Sequence, residues 1–190
     1  MIFNAITDLF FTTEPDGTRN LLREGQNPES VHFVGHVMID NLYNQLKKME
    51  NQVDSLVSQT VMALKKSLPE KYLCLTMHRP SNVDDKEVLS NLLIAINEVA
   101  SEAPVIFPCH PRTRKNIERF GLSHLFGGSS QTKSKISSGI ILTEPLGYND
   151  FLYLWKDAAG VLTDSGGLQE ETRLILVIIF YFVFLPVIIL

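Results

Sequence analysis

This sequence contains little cysteine and little clustered basic charge. Its two cysteines, Cys74 and Cys109, lie in or beside apolar runs without metal-ligand spacing, which indicates reduced core thiols of a cytoplasmic protein and no metal site. The net charge of −4, with no basic stripe carrying interleaved aromatic residues, argues against nucleic-acid binding. The N-terminal stretch MIFNAITDLF has no basic n-region, which argues against a signal peptide.

The composition also excludes a disordered chain. Of the 190 residues, 45% are hydrophobic and 20% are charged, close to the average of globular proteins, and the length suffices for one hydrophobic core. Only residues 127–139 (GGSSQTKSKISSG) form a low-complexity stretch, which we predict to be an exposed loop.

The first third of the chain predicts short strands followed by helix. Residues 8–11 and 31–35 are apolar runs typical of strands, and a short helix between them ends at Gly25. In residues 37–68 the apolar side chains recur at helical spacing. This segment is either one bent helix or two helices that meet near Asn51.

From residue 72 onward, apolar strands alternate with amphipathic helices. The four runs typical of buried strands are residues 72–77, 104–108, 139–143 and 160–164. Because strand–helix–strand repeats connect parallel strands through crossover helices, we predict a doubly wound α/β sheet with helices on both faces.

The helix predicted within residues 84–103 carries signals of its own. Asp84 and Glu87 have the spacing of a capping box at its start. We expect its buried face to comprise Val88, Leu92, Ala95 and Val99.

Polar side chains follow all four predicted strands. In a parallel sheet, ligands bind beyond the carboxyl ends of the strands. The residues that follow the strands, in order, are His78, Arg79, Ser81 and Asn82; His110, Arg112 and Arg114; Glu144 and Tyr148; and Asp164, Ser165, Gly166 and Gly167. Because these loops meet at one edge of the sheet, we expect them to share a crevice.

The sequence SGG after the last of these strands suits an anionic ligand. Gly166 and Gly167 let a ligand approach the backbone, and the first N–H groups of the following helix lack intrahelical partners. Ser165 adds a hydroxyl, and Glu171, about one turn into the helix, offers acceptors for sugar hydroxyls. A nucleotide satisfies all of these groups, although a tight strand–helix turn without a ligand gives the same pattern.

The remaining candidates have two interpretations each. His78 is a general acid/base or a phosphate partner, since imidazole titrates near neutrality, or it is a loop histidine bonded to a carbonyl. Arg112 and Arg114 contact phosphate or are merely solvated. His110 belongs to the binding site or only orients its loop. Phe151 stacks on a base or belongs to the core.

Five segments occur in the order and spacing of one known family. They are VGHVMIDNL, LTMHRPSNVDD, VIFPCHPRTRKNIERFGL, LTEPLGYNDFLYLWKDA and VLTDSGGLQEE. Over residues 31–172 the chain therefore resembles the non-hydrolysing UDP-N-acetylglucosamine 2-epimerases. The resemblance implies a GT-B type fold, in which two Rossmann-like halves face a cleft that binds UDP-GlcNAc. It also implies an isomerase that gives UDP-ManNAc by anti-elimination and re-addition of UDP, with no metal or redox cofactor.

The resemblance further implies a role for individual residues. His78 would be the catalytic histidine near the pyrophosphate, and Glu171 would bind the ribose hydroxyls. Ser165, Gly166 and Gly167 would hold the phosphates, and Phe151 would help to shape the uracil pocket. Arg79, His110 and Arg112, in the loops after the first two of the four strands, are further candidates for binding the UDP-sugar.

The chain also departs from the family, whose members are longer. We expect the incomplete second half of the GT-B fold: residues 1–36 as a remnant of the first Rossmann-like domain and crossover, residues 37–172 as the UDP-binding domain, and residues 173–190 as an apolar tail. The absent half would supply a basic phosphate contact and the acidic residues that move the C2 proton, so we expect impaired turnover. A non-catalytic nucleotide-sugar-binding module, an inactive truncated product and a sugar-transferring GT-B relative are the alternatives, and the resemblance leaves a homodimer open.

The last segment, residues 174–190, contains no charged side chain. Three interpretations stay open: an artefact of gene prediction, a buried helix or strand that replaces part of the sheet edge, and a C-terminal membrane anchor with weak charged borders. The motifs of the family end at residues 171–172.

Overall fold

The computed structural model describes residues 3–127, 136–175 and 177–181. The chain divides into two compact units, Met1–Glu50 and Asn51–Leu190. The domain boundaries expected after residues 36 and 172 stay predictions. Most of the loop predicted over residues 127–139 lies outside the described residues.

The first unit contains a small parallel sheet and a short helix. Its elements are β1 (Phe10–Thr12), α1 (Pro15–Arg23), β2 (Val31–Phe33) and the first part of α2 (Val37–Leu56), with 3-10 turns at Phe3–Ile6 and Pro28–Ser30. β1 pairs with β2 in parallel. Gly25 has a φ of 84°, in the left-handed region that glycine tolerates, and so ends the helix as predicted.

The helical segment predicted over residues 37–68 is both kinked and divided. Within α2 the backbone of Gln52 is non-helical, with φ −138° and ψ 31°, next to the expected meeting point. A second helix, α3 (Gln59–Ser67), then begins where the Ser58 hydroxyl accepts a hydrogen bond from the Val61 N–H.

The second unit is an α/β domain. Its remaining elements are β3 (Leu73–Thr76), α4 (Pro80–Val83), α5 (Lys86–Ala100), β4 (Val105–Pro108), α6 (Pro111–Arg119), a 3-10 turn (Ser123–Leu125), β5 (Ile140–Thr143), α7 (Tyr148–Trp155), β6 (Gly160–Thr163), α8 (Gly166–Leu174) and β7 (Ile179–Tyr181). The five strands run in the order β5-β4-β3-β6-β7, and every pairing is parallel. The prediction of a parallel α/β sheet with helices on both faces is confirmed.

Both faces of this sheet are buried. Leu75 and Phe107 join the core cluster that contains Leu89 of α5, and all three are 0% exposed. Cys74 and Ile106, whose side chains point the other way because strand residues alternate, are also 0% exposed. A parallel sheet covered on both faces leaves only its edges and the ends of its strands for function.

The start of α5 differs from the prediction. Asp85 is the capping residue, and its carboxylate accepts hydrogen bonds from the N–H groups of Glu87 (2.9 Å) and Val88 (3.0 Å). The predicted capping box of Asp84 and Glu87 is therefore wrong, because the carboxylate of Asp84 binds Arg112 instead.

The buried face of α5 is also displaced by one residue. It comprises Leu89, Leu93, Ile96 and Ala100, whereas Val99 of the predicted face is 44% exposed. Apolar residues occupy two adjacent stripes of this helix. The sequence therefore predicts the helical spacing correctly but not which of the two stripes faces the core.

The beginning of the apolar tail forms the edge of the sheet. β7 pairs with β6 in the register Val161↔Ile179, as expected from the strand interpretation, but Phe180 is 54% exposed, so this edge is not buried. Residues 182–190, on which the rest of the tail predictions fall, lie outside the described residues. In the described part of the chain, every helix is too short or too polar to cross a membrane.

Candidate functional site

A cavity of about 350 Å³ opens beyond the carboxyl ends of β3, β4 and β5. Its lining residues are Thr76, Met77, His78, Pro108, His110, Arg112, Pro145, Leu146 and Phe151. Four of the predicted site residues therefore meet in one place, with apolar walls between a pair of histidines and an arginine.

His78 is held against the end of β6. Its imidazole Nδ1 lies 2.9 Å from Oδ1 of Asp164, and its backbone N–H donates to Oδ2 of the same residue at 3.0 Å. The histidine side chain is about half exposed, whereas that of Asp164 is fully buried. The pairing of β3 with β6, with Thr76 opposite Thr163, brings the two residues together.

Asp164 also organises the loop that follows β3. Its Oδ2 accepts from the Arg79 N–H at 2.8 Å and from Nδ2 of Asn82 at 3.0 Å, and Asn82 is fully buried. Sequence reasoning placed Asp164 in the polar cluster after the fourth strand but did not select it as a site residue. The available signal was an acidic residue directly after an apolar strand. Acidic side chains are almost never fully buried unless they are paired, so an acid at the end of a buried strand predicts bonded partners.

The start of α8 has the form that the sequence predicted. Ser165 is its N-cap residue, and the Ser165 N–H donates to Oγ1 of Thr163 at 2.9 Å. Gly166 is the first residue of the helix, and a Cβ added there would meet nothing within 4 Å. Gly167 follows within the helix, where the first N–H groups lack intrahelical partners.

Glu171 lies in the same helix and is 5% exposed. The hydroxyl of Tyr148, at the start of α7, donates to Oε1 of Glu171 at 3.1 Å. Neither Glu171 nor the Ser165–Gly166–Gly167 segment belongs to the described lining of the 350 Å³ cavity. The predicted residues thus form two groups, which Asp164 connects through its bonds to His78 and through the chain to Ser165.

His110 and Arg112 both have partners within the protein. His110 is the N-cap residue of α6, and its Nδ1 accepts from the Arg112 N–H at 3.2 Å. The Arg112 guanidinium binds the Asp84 carboxylate through two hydrogen bonds, with Nε 2.9 Å from Oδ1. His110 therefore orients its loop, as one interpretation held, while both side chains still line the cavity.

The cysteines are free and buried. Burial raises the pKa of Cys109 to about 11 and raises that of Cys74 further above its ordinary value. Both thiols therefore stay protonated near neutral pH and act as core residues, as predicted. Within residues 3–127, 136–175 and 177–181, no group of three or more His, Cys, Asp or Glu side chains is placed to hold a metal ion.

Open parallel α/β domains form a class of proteins that bind ligands at the carboxyl edge of the sheet. The polar residues of this domain gather at that edge. The sequence model of the family described as UDP-N-acetylglucosamine 2-epimerase matches residues 1–180. The chain belongs to this family of isomerases. The match continues beyond residue 172, where the motifs predicted the resemblance to end, and takes in most of β7.

Curated relatives and solved structures agree with this assignment. A UDP-N-acetylglucosamine 2-epimerase of Methanococcus maripaludis is 36% identical over 173 residues, covering 90% of this chain and 44% of the relative. A UDP-2,3-diacetamido-2,3-dideoxy-D-glucuronate 2-epimerase of Pseudomonas aeruginosa is 30% identical, covering 90% and 42%. The crystal structure of Methanocaldococcus jannaschii UDP-GlcNAc 2-epimerase in complex with UDP-GlcNAc and UDP superposes with a TM-score of 0.73 at 34% identity, covering 92% of this chain and 45% of that one. The chain spans less than half the length of these proteins.

Proposed function

We propose that this chain provides the nucleotide-binding half of a UDP-N-acetylglucosamine 2-epimerase and binds the UDP part of UDP-GlcNAc. The observation that carries the proposal is the link from His78 through Asp164 to the start of α8, at the carboxyl edge of a parallel sheet. Family membership supports it, and so does the Methanocaldococcus jannaschii relative, which was crystallised with UDP-GlcNAc and UDP.

In this proposal the start of α8 binds the diphosphate. The N–H groups of the first helical turn and the helix dipole favour an anion there, and Gly166 leaves room for it to approach the backbone. Ser165 and Gly167 complete this phosphate site, and the His78 imidazole contacts the same anion.

The remaining binding residues divide between sugar and base. Glu171, fixed by Tyr148, accepts hydrogen bonds from the ribose hydroxyls. The uracil occupies the cavity against Phe151, and the volume of about 350 Å³ lies within the range of small-ligand sites. Arg79, His110 and Arg112 border this part of the site.

The proposed reaction interconverts UDP-GlcNAc and UDP-ManNAc. A proton leaves C2 while the C1–O bond to UDP breaks on the opposite face, and UDP then adds back as a proton returns to the other face of C2. His78 serves the leaving and returning diphosphate as an acid or charge partner. Positioned proton transfer at C2 is worth roughly 10²–10⁴-fold, and the chain spans 44% of its Methanococcus maripaludis relative, so we predict little turnover by the chain alone.

A second candidate is a nucleotide-sugar-binding module without turnover, which would use the same phosphate and uracil sites. The Pseudomonas aeruginosa relative is named for a different UDP-sugar, so UDP is the part of the proposed ligand that the two names share. A homodimer and a cytoplasmic location stay predictions, the latter supported by two buried, free thiols.

Calorimetric titration with UDP tests the binding proposal, with Gly166→Ala as the probe. A Cβ at Gly166 meets nothing within the protein, so the fold should be unaffected, but it stands where the phosphate approaches the backbone. We expect UDP to bind at least about tenfold more weakly, equivalent to about 1.4 kcal/mol. Gly17→Ala is the matched control, because Gly17 also lies in a first helical turn and its Cβ would make only an ordinary 3.6 Å contact with Thr12.

The outcomes separate the candidates. Absence of UDP binding to the wild-type chain would overturn both candidates and leave the inactive truncated product. Equal UDP affinity in wild type and Gly166→Ala would contradict the phosphate site. A coupled assay for UDP-ManNAc then distinguishes the enzyme from the binding module, and turnover near that of a full-length relative would contradict the predicted impairment.

A further inference from the structure

Both carboxylate oxygens of Asp164 contact the loop after β3: Oδ2 accepts three hydrogen bonds, and Oδ1 faces the His78 ring. We infer that Asp164 is a positioning residue that holds the His78 imidazole in the tautomer with its proton on Nδ1, so that Nε2 is presented to the ligand. The tautomer follows from the contacts of the protein, whereas the ligand side of the inference rests on the proposed function.

One oxygen of the carboxylate is committed as an acceptor. Oδ2 accepts from the N–H of His78 at 3.0 Å, from the N–H of Arg79 at 2.8 Å and from Nδ2 of Asn82 at 3.0 Å. None of these three groups can accept a hydrogen bond, so Oδ2 cannot carry a proton.

The other oxygen faces the imidazole. Oδ1 lies 2.9 Å from Nδ1 of His78 and 3.2 Å from the His78 backbone N. An imidazole nitrogen is ordinarily a stronger base than a carboxylate oxygen, so a hydrogen shared between the two atoms belongs to Nδ1. Without that hydrogen, a lone pair of Nδ1 would face a lone pair of the carboxylate at hydrogen-bond distance. Because Asp164 is 0% exposed and a buried carboxylate needs its acceptor sites filled, Nδ1 carries the hydrogen and donates it to Oδ1.

The ring is thereby fixed in both orientation and protonation. The backbone and the side chain of His78 bind the same carboxylate, which restricts rotation of the ring about its side-chain bonds. Nε2, on the far side of the ring, is the nitrogen left for a ligand of the cavity that His78 lines. Neutral His78 offers a lone pair there, and protonated His78 donates from the same atom to an anion.

Nitrogen-15 NMR of the histidine rings in the intact chain tests the inference. At about pH 8, above the ordinary titration of imidazole, the His78 spectrum should report a protonated Nδ1 and an unprotonated Nε2. His78→Gln identifies the signals by their loss. A wild-type spectrum with the proton on Nε2, or with both tautomers averaged, would overturn the inference without any variant of Asp164.

Asp164→Asn tests the cause of the tautomer. The three donors at Oδ2 would retain the amide oxygen, which turns the NH₂ group toward Nδ1 and requires a lone pair on that nitrogen. We expect the proton to move to Nε2. Asp85→Asn, in the same loop region but at the cap of α5, should leave the His78 tautomer unchanged.

The variant tests whether Asp164 selects the tautomer, and the wild-type spectrum tests the tautomer itself. An unchanged tautomer in folded Asp164→Asn would show that Asp164 does not select it. If Asp164→Asn does not fold, the wild-type spectrum alone supports or refutes the assignment. Adding UDP to the same wild-type sample should shift the Nε2 signal; a missing shift with the Nδ1–H tautomer intact would contradict the proposed ligand and leave the tautomer assignment standing.

Discussion

At the scale of the residue, the side chains at the sheet edge divide into those that hold the loops and those that face a ligand. The His110 side chain caps α6, and the Arg112 guanidinium binds the Asp84 carboxylate, so both side chains help to fix the start of α6. Glu171 is buried and accepts from Tyr148 through one carboxylate oxygen. A buried carboxylate held in this way is preorganised to accept further hydrogen bonds from a ligand.

Glu171→Gln tests the ribose role at this scale. The amide keeps the shape of the side chain and an oxygen for the Tyr148 hydroxyl, but it loses the charge that strengthens hydrogen bonds to hydroxyls. We expect calorimetry to give a UDP dissociation constant about tenfold higher, since a charged hydrogen bond contributes roughly 1.5–3 kcal/mol.

The matched ligand is 2′-deoxy-UDP, which lacks one ribose hydroxyl. The effect of Glu171→Gln should be smaller with 2′-deoxy-UDP than with UDP. An equal loss of affinity for both ligands would place Glu171 away from the 2′-hydroxyl, and no loss for either would remove it from the binding site.

The limits of sequence reasoning also appear at single residues. His78 and Gly166 could be selected because each follows an apolar strand, and the ends of parallel strands meet at one edge. The bonds of Asp164 could not be predicted, because they depend on which strands become neighbours and on how the loop after β3 folds back. That Asp85 and not Asp84 caps α5 could not be predicted for a similar reason, because the partner of Asp84 is Arg112, which comes from a distant element.

At the scale of the element, Lys65 joins α3 to α7, the helix that carries Phe151 and Tyr148. Its Nζ donates to the Tyr153 carbonyl and to Oδ2 of Asp157, both at 2.5 Å. Burial lowers the pKa of Lys65, and the hydrogen bond and charge of Asp157 oppose that shift. A lysine in this position needs its carboxylate, because an unpaired buried ammonium is costly.

Asp157→Asn should lower the free energy of unfolding near neutral pH by about 0.5–1 kcal/mol, a modest value because the Asp157 side chain is half exposed. Burial alone would raise the pKa of Asp157, but hydrogen bonds from Lys156 and Lys65 and their charges hold it below its ordinary value. The stabilisation is therefore fully present above the unfolded-state pKa of about 3.9 and is lost as pH falls through the lower folded-state pKa.

Urea unfolding followed by the fluorescence of Trp155, the single tryptophan, measures this difference. The gap between wild type and Asp157→Asn should close below about pH 4, whereas exposed Asp54→Asn should match wild type throughout. A gap that is constant with pH would show that the carboxylate charge is not its cause.

At the scale of the whole molecule, the family match through residue 180 and the pairing of β7 with β6 both assign the start of the apolar tail to the fold. Sequence alone left this segment between strand, anchor and artefact, because a short run of β-branched and aromatic residues suits several environments. The structure shows residues 179–181 as a strand beside β6. An added Cβ at Gly160 would lie 3.2 Å from the Ile178 carbonyl oxygen, so the two backbones approach closely here.

Phe180→Pro tests whether β7 stabilises the sheet. The Val161 N–H donates to the Ile178 carbonyl at 2.8 Å, and in a parallel ladder of this register the Phe180 N–H points back to β6. Proline removes that donor and places its ring against the neighbouring strand, so we expect the free energy of unfolding to fall by roughly 1–3 kcal/mol. Phe180→Thr keeps the N–H and introduces a β-branched side chain, which suits a strand, at a position that is 54% exposed. It should therefore lower the free energy of unfolding clearly less than Phe180→Pro does. Buried Trp155 reports the unfolding of this unit, and equal midpoints in urea for the two variants would mean that β7 does not stabilise the sheet through its ladder to β6.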